Sequence, residues 1–246
     1  MNVRAVVLLW ATGIISVSTN IPNYIRTCHQ SDGNIAQCIS ESIRHLKPWL
    51  KIGIPELGIP RLEPMRINDI YLRNDPRSTS NQVKLTGINV IGISDFELEK
   101  SSVNAQENTF TFSVRLPILS FVGNYQLKMK FSFLNIQDKG TFSGNFTDYR
   151  FTGSLRGRVI KKGDVQYLEF EVMKIIKSTG KVHVHLKNLF NGDKELTDLA
   201  NAVINENTEL LFAEIKPALE NSIALLFTTV ANKIVSSFTY KEIFPK

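Results

Sequence analysis

Residues 208–238 read TELLFAEIKPALENSIALLFTTVANKIVSSF, and this stretch decides the fold. Apolar side chains recur in it every three or four residues, at Leu211, Ile215, Leu219, Ile223, Leu226, Val230, Ile234 and Phe238. The spacing predicts a helix of about 46 Å that is kinked at Pro217 and preceded by a break near Asn207. The mean spacing of about 3.9 residues exceeds the 3.6 residues of a helical turn, so the apolar stripe winds around the axis. We therefore expect this helix to be covered on several sides.

The chain before this helix, from about residue 65 to residue 189, has the pattern of β-strands. Apolar and polar side chains alternate in three segments, residues 110–116, 125–133 and 182–186. A further strand is predicted at residues 167–176. Turn-forming residues separate the strands, at residues 106–108, 138–140, 162–164 and 178–180. Short turns predict an antiparallel meander, and long antiparallel strands curve strongly.

Together these patterns predict a single α+β domain in which a long C-terminal helix is wrapped by a strongly curved antiparallel sheet. Two kinds of interior are compatible with this architecture. Helix and sheet can form a solid core, or they can leave an elongated apolar tunnel. Composition does not distinguish the two, although the 15 phenylalanines and the many aliphatic residues would suit the wall of a tunnel.

The first 18 residues have the features of a secretory signal peptide. Arg4 supplies a positive charge, residues 5–17 are mostly apolar, and Ser16-Val17-Ser18 fits a cleavage site. The apolar run is about 13 residues, whereas a transmembrane helix needs roughly 20. We therefore expect a secreted, extracellular protein whose one domain spans residues 19–246.

Two covalent features are expected of such a secreted chain. Cys28 and Cys38 should form a disulfide in an oxidising compartment; the alternatives are a free thiol pair or a metal site, for which no further Cys or His beside His29 supplies ligands. Asn145-Phe146-Thr147 is the only N-glycosylation sequon, and we expect a glycan there on an exposed turn. A first helix over residues 31–47, ended or kinked by Pro48, carries Cys38.

Composition and motifs exclude several classes of function. Apolar residues make up 43% and charged residues 21% of the 246 residues, and the net charge of +6 comes from scattered cations. This indicates a solvated surface and no nucleic-acid partner, with transient contact to an anionic membrane or a receptor as an alternative. No nucleophile elbow, P-loop or HExxH motif is present, and His183 and His185 have no third metal ligand. We expect a protein that is not an enzyme and that needs no metal or cofactor.

Several segments carry a resemblance to a known family. They are the Cys28…Cys38 pair with Leu46-Lys47-Pro48, residues 53–64 (GIPELGIPRLEP), the strand around Gly144-Asn145-Phe146-Thr147, residues 189–196 (LFNGDKEL), and the long helix with Phe244-Pro245. In this order and spacing the chain resembles the insect takeout and juvenile-hormone-binding protein family along nearly its whole mature length. The second disulfide that is usual in juvenile-hormone carriers is missing, so the sequence resembles the takeout branch.

The resemblance implies a tubular lipid-binding fold and a secreted, monomeric carrier with an apolar tunnel for a small hydrophobic ligand. Such ligands are terpenoid, juvenile-hormone-like or fatty-acyl molecules, and family members are linked to circadian output, feeding and chemosensation. The alternative is a secreted interaction or receptor-modulating factor with no ligand tunnel. The apolar positions expected to line a tunnel, each of which also suits ordinary core packing, are Ile39, Ile43, Leu46, Leu211, Ile215, Leu219, Ile223, Leu226 and Val230.

Overall fold

The computed structural model describes residues 21–73, 82–104, 106–131 and 134–246. The signal peptide predicted at residues 1–18 lies outside them. The helices are α1 (Ile35–Ile52), α2 (Lys194–Glu206), α3 (Thr208–Val235) and α4 (Tyr240–Ile243). The strands are β1 (Met65–Ile67), β2 (Ile70–Arg73), β3 (Gln82–Ile91), β4 (Glu97–Asn104), β5 (Thr109–Phe131), β6 (Leu134–Lys162), β7 (Val165–Phe170) and β8 (Lys174–Leu186).

All these strands belong to one antiparallel sheet whose centre is the hairpin of β5 and β6. On the edge of β5 that does not pair with β6, β4 pairs with the first part of the strand and β3 with the second part. β1 and β2 pair in turn with successive parts of the outer edge of β3. β7 and β8 pair with the remaining edge of β6. The 23 residues of β5 would extend about 76 Å, whereas the 28 residues of α3 span about 42 Å. The sheet therefore coils around the helix, and the predicted fold class is confirmed.

Pro117 in β5 and Asp148 in β6 mark a line across the sheet that we call the waist. The two residues face each other at the one step where the ladder of β5 and β6 is interrupted. Proline has no N–H to donate to a ladder, and Asp148 has a positive φ of 53°. On the outer face, the Arg115 guanidinium bonds Asp148 (2.5 Å) and Glu97 (2.9 Å), which links three strands at the waist. Hydrogen bonds from Arg115 and then Arg150 lower the pKa of Asp148.

The waist changes which side chains face the interior. In β5 the buried positions have even numbers up to Leu116 and odd numbers from Leu119 onward. In β6 they have even numbers up to Phe146 and odd numbers from Tyr149 onward. Because the two changes lie opposite each other, both strands keep their register while their inner faces shift by one residue.

Asparagine side chains fix the helices against the free edge of the sheet. The Asn201 amide bonds both the N–H (2.8 Å) and the C=O (2.9 Å) of Leu186, and the Asn205 amide does the same for Val184. The two asparagines are four residues apart on α2, a rise of about 6 Å, and their partners are two residues apart on β8, a rise of about 6.6 Å, so the two spacings match. These bonds satisfy backbone groups of the edge strand β8 that would otherwise be open to another chain.

Three predicted boundaries are wrong for physical reasons. Residues 138–140 and 178–180 lie inside β6 and β8 and are not turns. Their glycines make room for close neighbours: a Cβ on Gly140 would lie 2.3 Å from the Lys187 carbonyl oxygen, and one on Gly180 would lie 2.9 Å from the Tyr149 ring. α1 begins after its cap Asn34 and continues through Pro48 to Ile52, since Leu50 in its last turn is buried.

Gly92, which follows β3 at the level of the waist, provides a test of this architecture. Its φ is 103°, and a Cβ there would lie 2.2 Å from the carbonyl oxygen of Ile118. We expect Gly92→Ala to lower the free energy of unfolding by more than about 2 kcal/mol, because backbone strain adds to this clash. Gly192→Ala is the control, because Gly192 also has a large positive φ, of 88°, but open space around it, so that its replacement should cost only the backbone strain of about 1–2 kcal/mol. Equal losses in urea denaturation would contradict the close approach at the waist.

Candidate functional site

The half of the sheet on the β4 and β7 side of the waist encloses a large cavity. Its walls come from α1, from β4 to β7, from α3 and from α4, and about 210 Å³ is open to the centre of a water molecule. Since one water needs only about 10–15 Å³ by that measure, the space holds far more than a single solvent molecule. Among the described residues that line it, only Arg26 and Ser42 have polar side chains. A space of this kind binds apolar molecules in preference to water.

A second, smaller cavity lies beyond the waist. About 50 Å³ is open there to the centre of a water molecule. The side chains that line it are all apolar, namely Ile67, Ile70, Leu85, Ile88, Val90, Leu119, Phe121, Phe142, Phe146, Ile215 and Leu219. No lining residue is shared with the large cavity.

Fully buried side chains at the waist lie between the two cavities. Leu116, Tyr149 and Ile223 each have no exposed surface, and they line neither cavity. The Tyr149 ring lies 5.9 Å from the ring of Phe146, which lines the small cavity, and 6.3 Å from that of Phe151, which lines the large one. We call Leu116, Tyr149 and Ile223 the partition.

The Tyr149 hydroxyl is the polar group of the partition, and among the residues that the structure describes it is buried without a hydrogen-bond partner. Ser178 is a nearby polar side chain whose hydroxyl donates to Glu220 (2.6 Å); its oxygen interacts with the Tyr149 hydroxyl and affects the pKa of Tyr149, but the two do not reach hydrogen-bond geometry. Burial raises the pKa of Tyr149 to about 12, with Ser178 acting in the opposite direction. Buried hydroxyls in native proteins are normally paired, so this one is free to donate to a molecule that reaches the partition.

Sequence and structural comparisons agree with the architecture around these cavities. The family model described as haemolymph juvenile hormone binding protein (JHBP) matches residues 5–245. The chain belongs to this family. The circadian clock-controlled protein daywake of Drosophila melanogaster is 24% identical over 253 residues, which cover 97% of this chain and 94% of daywake. Daywake of Drosophila yakuba is 22% identical over 251 residues, 96% of this chain and 93% of its own length.

A solved structure with the same fold is Epiphyas postvittana Takeout 1. Its TM-score is 0.77 at 18% identity, and the match covers 90% of this chain and 100% of that protein. The resemblance to takeout proteins and the family's curved sheet with a long helix are thereby confirmed. In this member of the JHBP family, the described helices include none that is long and apolar enough to cross a membrane. The described residues also contain no group of three His, Cys, Asp or Glu side chains placed to hold a metal ion.

An N-terminal strap, residues 24–30, closes the large cavity beside α1. The predicted disulfide joins Cys28 in the strap to Cys38 in α1. Tyr24 donates a hydrogen bond to Glu56 (2.6 Å), and its ring lies 4.8 Å from that of Trp49. At its other end the strap pairs with the chain terminus, where the N–H groups of Cys28 and Gln30 donate to Ile243 and Pro245.

The structure distributes the nine residues expected to line a tunnel among three places. Five line the large cavity, namely Ile39, Ile43, Leu46, Leu226 and Val230. Ile215 and Leu219 line the small cavity, and Ile223 belongs to the partition. The side chain of Leu211 lies outside the described part of the structure. A continuous tunnel stays a prediction for this JHBP-family chain.

Sequence reasoning missed the aromatic residues of the strands. Phe110, Phe112 and Phe151 line the large cavity, and the period-two alternation of β5 was the signal that could have placed the first two. Asn145 lies in the middle of β6, half-buried, so the exposed turn predicted for it is wrong. Its sequon falls inside a strand because the alternation of Phe142 and Phe146 continues through it. Glycosylation of Asn145 stays a prediction.

Tyr149→Phe tests the unpaired hydroxyl. We expect the free energy of unfolding of the ligand-free protein to stay constant or to rise by up to about 1 kcal/mol, because no hydrogen bond is lost. Tyr125→Phe is the matched control, since the buried Tyr125 hydroxyl donates to the Lys187 carbonyl (2.5 Å) and its removal should cost about 1–2 kcal/mol. Both values come from urea denaturation. A loss as large in Tyr149→Phe would mean that its hydroxyl is paired.

Proposed function

We propose that the chain is a secreted carrier that binds a small hydrophobic ligand in the large cavity. The observation that carries the proposal is the chemistry of its wall, which is apolar apart from Arg26 and Ser42. A ligand that buries roughly 300 Å² of apolar surface gains about 7 kcal/mol before the entropy cost of binding. A carrier of such ligands needs no catalytic group, so the proposed activity is binding alone.

The proposal includes a role for the partition. A ligand longer than the large cavity would reach the small one by displacing Tyr149 and Ile223, and this would form the continuous tunnel. A polar atom in the middle of that ligand would then accept the hydrogen bond of the Tyr149 hydroxyl, for which the described part of the chain supplies no partner.

The parts of the proposal that concern secretion and physiology rest on the sequence and on the similar proteins. The predicted signal peptide, the disulfide and a family described as haemolymph proteins support an extracellular carrier. That it is a monomer with a single domain from residue 19 is part of the proposal. The daywake relatives are described as circadian clock-controlled. We extend that description to this chain as a proposal that its abundance follows the daily cycle.

Native mass spectrometry of the secreted protein, followed by organic extraction, tests the proposed function. We expect one apolar molecule per chain, and its identity gives the ligand class. An empty protein that also fails to bind the neutral fluorescent probe N-phenyl-1-naphthylamine would overturn the proposal. It would favour the interaction or receptor-modulating factor instead.

Val230→Phe tests the location of the ligand. Val230 lines the large cavity, and the larger side chain fills part of its empty space. We expect binding of N-phenyl-1-naphthylamine to weaken by about tenfold or more without loss of thermal stability, since overpacking strain is avoided where space exists. Thr229→Phe adds the same ring to the exposed face of the same turn and should bind normally. Equal affinities in both variants would place the ligand elsewhere.

A further inference from the structure

We propose that Arg26 binds the head group of the ligand and that the ligand is an amphipathic carboxylate, with a long alkyl or isoprenoid chain. This inference rests on the proposed function and adds the chemical class of the ligand. Arg26 is exposed to solvent and is also one of the residues that line the large cavity. A residue with both properties lies at the rim, where the apolar space meets water.

The position of Arg26 is fixed by the strap on both sides. Tyr24, two residues before it, is held by its bond to Glu56, and Cys28, two residues after it, is joined to α1 by the disulfide. The Ser42 hydroxyl of α1 donates to the carbonyl oxygen of Arg26 itself (2.8 Å). The strap is therefore anchored at Arg26 itself and two residues before and after it, which fixes the point from which the Arg26 side chain extends.

The charge of Arg26 is available for a ligand. Arg115, Arg150 and Arg158 form ion pairs on the outer face of the sheet. Within the described residues, by contrast, no carboxylate lies within 4.0 Å of the Arg26 guanidinium. Of the described residues that line the large cavity, Arg26 is the only charged one.

The arrangement suits a carboxylate better than a neutral lipid. The hydrocarbon chain would occupy the apolar interior, and the carboxylate would stay at the rim, where water still solvates it. The ligand would thus avoid the large cost of burying a charge. A guanidinium offers paired N–H donors that match the two oxygens of a carboxylate. A neutral ester would gain nothing from the charge.

Competition binding with palmitate and methyl palmitate tests the inference, because the two probes differ only in the head group. Each displaces N-phenyl-1-naphthylamine from the full secreted chain, below the concentration at which it aggregates. We expect the native protein to bind palmitate about fivefold to tenfold more tightly than the ester, with the preference falling as salt is raised. Arg26→Gln should abolish the preference for palmitate over the ester.

Arg66→Gln is the control for net charge. Arg66 is exposed on β1 and lines neither cavity. Its replacement by Gln removes the same charge as Arg26→Gln does. The native preference should persist in it, and Arg26→Lys should keep part of the preference. Equal binding of acid and ester by the native protein, or an unchanged preference in Arg26→Gln, would overturn the inference and leave the carrier function standing. Failure of both probes and of the fluorescent ligand to bind would instead overturn the proposed function.

Discussion

The change of face at Pro117 and Asp148 is the constraint on which the rest of the structure depends. An uninterrupted alternation along β5 and β6 would give their coiled hairpin one continuous inner surface. The one-residue shift divides that surface into two halves, and each half forms its own wall around α3. Where the halves meet, Leu116 and Tyr149 are fully buried. The two cavities lie on either side of this meeting line because the packing there is complete and the packing beyond it is not.

Polar bonds, more than apolar packing, set the position of the helices inside the sheet. An apolar helix in apolar surroundings has little to fix its rotation, since hydrophobic contact is not directional. Asn201, Asn205 and Asn232 supply direction, because each amide bonds both backbone groups of one residue at a strand edge. The helices are held at the edge of the sheet whether or not their other faces are filled. Leu226 and Val230 are therefore free to face empty space.

Periodicity was sufficient to predict the long helix, the break before it and the antiparallel sheet. It also placed Ile39 and Val230 on inward-facing sides of their helices, where they line the large cavity, because a spacing of three or four residues fixes a face without knowledge of the rest of the fold. Periodicity could not identify Tyr149 as an inward-facing residue. Beyond the waist the inward-facing positions shift by one residue, so the alternation that holds before the waist would place Tyr149 on the outer face. Gly180 was wrongly predicted to lie in a turn. The structure uses a glycine there because the Tyr149 ring packs where a side chain would be, and the sequence does not show that Tyr149 is its neighbour.

A partition made only of aliphatic side chains would be more stable than one that buries an unpaired phenol, because a hydroxyl without a partner costs free energy. Proteins keep such groups where binding relieves the cost. On the proposed function, Tyr149 meets a polar atom inside the ligand and Arg26 meets its head group, with apolar walls between them. Hydrocarbon contact alone cannot discriminate between molecules of similar size. Two polar groups at fixed positions favour ligands in which two polar atoms are separated by the matching distance along the chain. An apolar cavity that would otherwise accept many molecules thereby becomes specific.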